Sequence, residues 1–296
     1  MEKLNPKTIQ IFLPNGDPRS IRIAEITTRI VRVIEIPRNA LDQFLGMPES
    51  TQNALYFLVG IDPDTEAIQI YIGQTGGIGD RLRQHDKDKE FWNKALVVIS
   101  LTNSFTTTHT LFLEELAIRG ARAAARYSAL NGTGGNQTYA PPPMQADCHE
   151  IYETMSTLLT TLGYPIFEPL LKPSVTPTPQ EIFFCKGSEA DGRGTYTDEG
   201  FVVLKDSTGR VENVPSIVGT SMEKFRERLI EDGDVEVIGD RIVFIKNHLF
   251  GSPSMAAVAL MGRRANGWIE WKSFDGKTLS EIKRGPNDEA TSEEAE

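Results

Sequence analysis

Cysteine and long apolar runs are the scarcest features of this chain. Its 296 residues include two cysteines, Cys148 and Cys185, which excludes a disulfide-rich secreted scaffold and favours free thiols in a reducing compartment. No run of about 18 apolar residues occurs, so we expect no transmembrane helix and no membrane partner. Residues Met1 to Gln10 lack the apolar centre of a signal peptide, and the predicted location is therefore cytoplasmic.

An excess of positive charge is missing as well. The formal net charge of −10 argues against a protein coated in basic, nucleic-acid-binding surface. Residues 54 to 140 carry eight Lys/Arg against nine Asp/Glu, so any binding to nucleic acid there must depend on local basic clusters. Several of the surplus acids lie in residues 285–296, which predicts a disordered acidic tail.

Composition and periodicity predict an α/β protein of several parts. Alternating apolar and polar residues over 20–36 predict strands, and five prolines within 164–180 are typical of a linker. The predicted organisation is a β-rich N-terminal module (1–48), an α/β core with its following helix (49–163), a Pro-rich linker (164–180), a separate α+β domain (181–284) and the acidic tail (285–296).

The core pattern is a hairpin followed by a helix, a strand and a second helix. Apolar runs at 54–61 and 67–73, separated by Asp-Pro-Asp-Thr, predict an antiparallel hairpin. Helical spacing predicts a helix over about 78–87 and a longer one beginning at Thr107 or Thr108. An apolar run at 95–101 predicts a third strand.

Six polar residues occur along this core in an order that suggests phosphodiester chemistry. Such chemistry needs a proton acceptor, a cation for the phosphorane oxygens, a carboxylate for a divalent metal and polar groups that orient them. Each residue alone has an ordinary explanation, such as a core tyrosine, a solvated helix pair or a helix C-cap. Their joint order and spacing favour the chemical explanation. The candidates are Tyr56, Tyr71, Arg81, His85, Glu114 and Asn131.

Residues 54 to 136 resemble the GIY-YIG nuclease family. Ala54-Leu55-Tyr56 keeps the tyrosine of the first motif and lacks its glycine, whereas Tyr71-Ile72-Gly73 is the second motif in full. Arg81 and His85 match the arginine and histidine that follow in the family.

The later family positions fall on the second helix and after it. Glu114, preceded by Leu113, matches the helix glutamate better than Glu115 does. Asn131 lies at the spacing of the terminal asparagine, and Asn136 is the alternative. The C-terminal part resembles a domain of unknown function that follows such nucleases in one bacterial branch.

The resemblance implies a small core, a three-stranded antiparallel sheet flanked by helices, that hydrolyses DNA. One divalent cation, Mg²⁺ or Mn²⁺, would be held mainly by Glu114, and Arg81 would stabilise the phosphorane. Tyr56 would accept the proton of the attacking water, although phenols titrate near pH 10, while Tyr71 and His85 would hydrogen-bond phosphate or water. The absence of paired carboxylates argues against a two-metal nuclease.

Several points stay open at the level of sequence. The alternative function is a nucleic-acid-binding or regulatory protein with a weakened or inactive nuclease site. Whether the DNA is single- or double-stranded, and which oligomeric state the protein adopts, are not determined. The C-terminal domain is either a structural cap or a nucleic-acid-recognition domain that uses Arg263 and Arg264.

Overall fold

The computed structural model describes residues 5–61, 68–132, 139–171, 181–231 and 233–285. The chain divides into two compact units, Met1–Pro169 and Leu170–Glu296. The turn predicted at 62–65, the alternative site residue Asn136 and the acidic tail after Gly285 lie outside the described residues. None of the helices in the described ranges combines the length and the apolar character needed to span a bilayer.

The first unit is an α/β structure built on one sheet. Its strands are β1 (Ile9–Phe12), β2 (Arg22–Ile26), β3 (Val31–Pro37), β4 (Ala54–Ile61), β5 (Ile68–Thr75), β6 (Trp92–Ser100) and β7 (Ser128–Ala129). Its α-helices are α1 (Leu41–Leu45), α2 (Ile78–Asp88), α3 (Thr107–Ala124) and α4 (Pro142–Thr161), with short 3₁₀ helices at Arg38–Ala40 and Pro48–Thr51. The predicted hairpin, its third strand and both core helices are confirmed.

The strand order of this sheet is β1-β2-β3-β6-β4-β5-β7. All neighbours are antiparallel except β5 and β7, which are parallel. The sheet therefore has seven strands, where three were predicted for the core. The strands of the predicted N-terminal module do form, but they extend the core sheet through the pairing of β3 with β6, because an apolar-polar alternation specifies a strand and not its partner.

Both faces of the sheet are covered, which explains why its central strands are almost continuously apolar. One buried cluster includes Leu55, Phe57 and Ile72 and packs against α3 and α4. The other cluster includes Tyr56 and Leu58 and packs against α1 and α2. Successive residues of β4 thus point to opposite faces, as a pleated strand requires.

The first unit continues beyond its last helix into the segment predicted as linker. Ile166 is buried with the first cluster, and the Phe167 ring lies 4.8 Å from that of Tyr152. The Tyr164 hydroxyl donates to the buried carboxylate of Glu35 at 3.0 Å. Residues 164–168 are consequently core, and residues 172–180 of the predicted linker are outside the described ranges.

The second unit is also a mixture of strands and helices. Its strands are β8 (Phe183–Lys186), β9 (Asp191–Thr197), β10 (Gly200–Val203), β11 (Thr208–Arg210), β12 (Val235–Ile238), β13 (Arg241–Phe244) and β14 (His248–Phe250). Its helices are α5 (Ser221–Glu231), α6 (Pro253–Met261), α7 (Gly267–Glu270) and α8 (Leu279–Lys283). The order β12-β13-β11-β9-β10-β14, with β8 beside β9, is antiparallel throughout.

Side-chain caps begin two helices of this unit. Residues 267–272 are rich in residue types typical of strands, but Gly267–Glu270 is helical. The Asn266 side chain accepts the backbone N–H of Trp268 at 3.1 Å, and such an N-cap stabilises a helix start. Ser252 caps α6 in the same way, through the Met255 N–H at 3.2 Å.

Candidate active site

The two tyrosines meet on one face of the β4–β5 hairpin. Tyr56 lies opposite Gly73 and Tyr71 lies opposite Leu58 in the antiparallel register, so the two rings are diagonal neighbours with centroids 6.3 Å apart. Gly73 has a steric role, because a methyl group there would overlap the Tyr56 hydroxyl and ring. The glycine of the second motif thus makes room for the tyrosine of the first.

Helix α2 brings Arg81 and His85 to this pair. The two residues are one turn apart and share a helix face. Arg81 Nε donates to the Tyr56 hydroxyl at 3.1 Å, and His85 Nε2 lies 2.8 Å from the same hydroxyl. The sequence-based grouping of these side chains is therefore reproduced in the geometry.

The Tyr56 hydroxyl is the centre of a hydrogen-bond cluster. Arg81 can only donate, so Tyr56 accepts from it, and the tautomer of the His85 ring determines which partner donates in the bond between the Tyr56 hydroxyl and Nε2. Burial is the largest cause that lowers the His85 pKa to about 4, and the positive charges of Arg81 and Lys89 add to it. Burial likewise raises the Tyr56 pKa to about 12 despite its hydrogen bond from Arg81.

Exposure separates the two tyrosines. The side chain of Tyr56 is 0% exposed, whereas Tyr71 is half-buried and remains accessible from solvent. A hydrogen bond with Tyr56 is the largest cause that raises the Arg81 pKa, and a hydrogen bond with Tyr71 also contributes. The guanidinium therefore contacts both phenols and stays protonated.

Two polar neighbours were not found from the sequence. Lys89 is the C-cap residue that follows α2. Its ammonium lies over the Tyr71 ring, 4.5 Å from the ring centroid. The Gln84 side chain accepts from Arg81 Nη1 at 2.7 Å and fixes the guanidinium from outside. Helical spacing from Arg81 could have indicated Gln84, but the position of Lys89 over Tyr71 depends on how α2 crosses the sheet.

Glu114 approaches from α3, on the opposite face of the sheet. Its carboxylate accepts the backbone N–H of Gln74, the residue that follows Gly73, and its pKa is raised mainly by burial. Arg81 acts on it electrostatically, yet within the described ranges no ion pair joins the two side chains. The site thus lies at the carboxyl end of β5, where α2 covers one face and α3 the other.

Asn131 is placed differently from the other candidates. Its side-chain Oδ1 accepts the N–H of Ile72 at 3.1 Å and its Nδ2 donates to the Ile72 carbonyl at 2.8 Å. Both amide groups are thereby engaged with the backbone of β5. The geometry indicates that Asn131 fixes the strand that carries Tyr71.

The carboxylate of Glu114 is the one hard anionic oxygen donor among the six candidate residues. The residues that the structure describes hold no group of three His, Cys, Asp or Glu side chains arranged for a metal. A single carboxylate is compatible with Mg²⁺, which is commonly bound by one or two carboxylates together with water and substrate phosphate.

Comparison with known proteins bears on the second unit. The family described as "Domain of unknown function (DUF4357)" matches residues 183–283. This match agrees with the expectation of a C-terminal domain of unknown function. No curated protein and no solved structure matches the chain, and the candidate site lies outside the matched residues.

Proposed function

We propose that this protein is a metal-dependent endonuclease of the GIY-YIG type that hydrolyses DNA phosphodiester bonds. The observation that carries the proposal is the convergence of two phenols, a guanidinium and a carboxylate at the end of β5. The positive charge of Arg81 acts on Glu114 at the end of β5, and within the described ranges no ion pair joins the two side chains. Because the two charges do not neutralise each other, the guanidinium of Arg81 can bind a phosphate and the carboxylate of Glu114 can bind a divalent metal.

In this proposal Arg81 stabilises the charge that develops on the phosphorane oxygens. Its Nε–H donates to Tyr56 and its Nη1 to Gln84, so the guanidinium is held in place before substrate arrives. Preorganised donors of this kind contribute more than mobile ones because they need no reorganisation during the reaction.

We assign the proton-accepting role to Tyr71, whereas the sequence analysis favoured Tyr56. Tyr56 has no exposed surface, its pKa is raised to about 12, and its hydroxyl is already hydrogen-bonded to Arg81 and His85. Tyr71 is half-buried and lies between Arg81 and the ammonium of Lys89. Tyr56 and His85 then act as positioning residues that hold Arg81.

Glu114 would hold the divalent cation, Mg²⁺ or Mn²⁺. When bound there, the ion would supply Lewis acidity at the leaving 3′ oxygen. Because burial raises the pKa of Glu114, its carboxyl keeps a proton to higher pH than usual, and metal affinity should decline as the pH is lowered.

The test compares two adjacent glutamates on α3. We expect the unchanged chain to nick supercoiled plasmid with Mg²⁺ or Mn²⁺ and to stop in EDTA. Glu114→Gln should lower the nicking rate by at least about 10² because it removes the metal-binding carboxylate. Glu115→Gln is the matched control and should remain active, since Glu115 is half-buried beside Arg119 instead.

The outcomes also address the alternative function. Plasmid binding without metal-dependent nicking would support a regulatory or nucleic-acid-binding protein with an inactive site. Nicking that persists in Glu114→Gln, or that is lost in Glu115→Gln instead, would contradict the assignment of the carboxylate.

A further inference from the structure

A cavity of about 430 Å³ opens on the second unit beside β8, and no residue of the proposed nuclease site belongs to this unit. Its walls are formed by Phe184, Lys186, Glu270, Lys272, Ser273 and Phe274. The Phe274 side chain is 84% exposed, more than any other large apolar side chain in the described ranges. Leaving so much aromatic surface in water forgoes burial free energy, which a ligand stacked on the ring would recover.

The backbone holds the two phenylalanines in fixed positions. Phe184 and Lys272 exchange backbone hydrogen bonds of 2.7 and 2.9 Å. These bonds hold the segment that carries Phe184 next to the segment that carries Lys272 and Phe274. Ser273 accepts the N–H of Gly276 at 2.9 Å and donates its own to Lys277 at 2.8 Å. Phe274 therefore projects from a tight, hydrogen-bonded turn, which limits the entropy that ligand binding would cost.

The charges around the cavity favour an anionic ligand. Its acid Glu270 is already paired with Arg263 at 2.7 Å. Lys186 and Lys272 are exposed, and within the described residues neither forms an ion pair. Residues 261–285 hold six Lys/Arg against three Asp/Glu, in contrast to the net charge of −10 of the whole chain.

A second cavity of about 260 Å³ adjoins the first and shares Lys186 and Glu270 with it. Its two arginines are paired with acids, Arg210 with Glu189 at 2.9 Å and Arg263 with Glu270 at 2.7 Å. Among the described residues that line this second cavity, Lys186 is therefore the cation without an ion pair. A ligand that extends from the first cavity into the second would keep its contact with this lysine.

We infer that the second unit binds single-stranded nucleic acid at the surface formed by Phe184, Phe274, Lys186 and Lys272, here named the aromatic–lysine surface. Unpaired bases stack on the phenylalanines and the phosphates lie against the lysines. Base stacking on aromatic side chains beside a cationic groove is how proteins bind single strands without sequence preference. The acidic protein as a whole then needs only this local surface to attract the strand.

Duplex DNA fits this surface less well, because its bases are already stacked on one another and cannot cover Phe274. An acidic peptide would satisfy the lysines, but it would leave the protruding ring without a flat partner. A single strand can satisfy both kinds of group, because its bases can cover the rings while its phosphates contact the lysines that line the same cavity. This inference does not depend on cleavage in the first unit, and its test measures binding alone.

The test uses the full chain in EDTA, so that metal-dependent cleavage cannot intervene. Fluorescence anisotropy would measure binding to labelled oligothymidylate and oligouridylate of about 12 nucleotides, and to a duplex of equal length. Phe274→Ala should weaken single-strand binding by about tenfold, the loss of one stacked base, with little effect on the duplex. Phe274→Trp should retain single-strand affinity, because the larger ring still stacks.

Matched variants control for nonspecific effects. Ile238→Ala removes an exposed apolar side chain on β12 and should leave binding unchanged. Lys272→Ala should reduce the salt dependence of single-strand binding by about one phosphate contact. Lys205→Ala is the control and should leave the salt dependence unchanged, because Lys205 is exposed and lies outside both cavities. The loss caused by Phe274→Ala should be the same in an Arg81→Ala background, since the two residues belong to separate units with no shared partners and such substitutions usually contribute additively.

Three results would overturn the inference. Single-strand affinity unchanged by Phe274→Ala would show that the ring does not stack on bases. Equal losses on single strand and duplex would indicate an electrostatic contact only. Absence of oligonucleotide binding by the unchanged chain, even at low salt, would leave a peptide as the occupant of the surface. The relative affinities for oligothymidylate and oligouridylate identify whether DNA or RNA is held.

Discussion

The imidazole of His85 is buried against a phenol and two cations, and this environment determines its charge. Only 4% of the residue is exposed, and its pKa is lowered from 6.5 to about 4. Between these two pH values the unfolded chain binds a proton at this position and the folded chain does not. The contribution of neutral His85 to the stability of the first unit is therefore fully present above the unfolded pKa. This contribution is lost as the pH falls toward the folded pKa.

This difference can be measured through replacement of His85. From pH about 7.5 to about 4.5, the unchanged chain should lose about 2 to 3 kcal/mol more unfolding free energy than His85→Gln. Glutamine can still form a hydrogen bond with the Tyr56 hydroxyl, as donor or acceptor, but does not titrate. Hydrogen exchange of peptides from β4 to β6 in increasing urea would report on this unit specifically.

The control for that comparison is His149→Gln, because His149 is exposed. It should show the same pH dependence as the unchanged chain. If His85→Gln also follows the unchanged chain, the imidazole is not held neutral in the folded protein.

Sequence could identify the residue types of the site but not their environments. The motif spacing grouped Tyr56, Tyr71, Arg81 and His85, and the structure places these four side chains together. The sequence could not show that Tyr56 is buried while Tyr71 is accessible, because burial depends on how α2 covers the hairpin. The position of Lys89 over Tyr71 follows from the same packing.

At the scale of elements, the β4–β5 hairpin depends on one cross-strand pair. Tyr56 lies opposite Gly73, and a Cβ at Gly73 would overlap the phenol. Gly73→Ala should destabilise the first unit by about 1 to 3 kcal/mol, the usual cost of overpacking a core. It should also slow plasmid nicking, because Tyr56 must move away from Arg81 and His85.

Gly46→Ala is the matched substitution for this prediction. A Cβ at Gly46 would make only an ordinary contact with the Gln43 carbonyl, and its backbone is right-handed helical. Chemical denaturation of both variants gives the comparison. Equal stabilities would mean that Tyr56 can adjust at no cost and that the glycine is not required for packing.

The sequence analysis missed elements whose apolar contacts come from the side chains of neighbouring elements and not from their own. Strand β9 (Asp191–Thr197) has no apolar alternation, so its sequence does not indicate a strand. Its Gly192 and Gly194 leave room for the side chains of Leu260 and Phe201, which occupy the space that a Cβ would need. Glycine within a strand can mark such a close approach, and the residues that approach are distant in sequence, so the local pattern does not show it.

At the scale of the whole molecule, each unit has its own hydrophobic core. The buried clusters of the first unit contain only residues up to 166, and that of the second unit contains residues 183 to 279. Such a division predicts that the units fold independently. The sequence predicted the division from the prolines, but it set the end of the first unit too early, before Ile166.

A fragment of residues 1–169 should therefore unfold cooperatively and retain metal-dependent nicking. It should also lose the single-strand affinity that depends on Phe274. Thermal unfolding followed by circular dichroism, together with the plasmid and anisotropy assays, would check these expectations. A fragment of residues 181–285 is the complementary control and should show the opposite pair of activities. An unfolded 1–169 fragment would contradict the independence of the cores.

The amide of Asn131 also determines where the first sheet stops. Parallel pairing of β7 with β5 ends with the Leu130 N–H on the Ile70 carbonyl at 2.9 Å. At the next position the Asn131 side chain takes the place of a backbone peptide and saturates both polar groups of Ile72. An unpaired strand edge invites another chain to add to it, and next to Tyr71 the Asn131 side chain already occupies the backbone groups of Ile72 with which such a chain would pair.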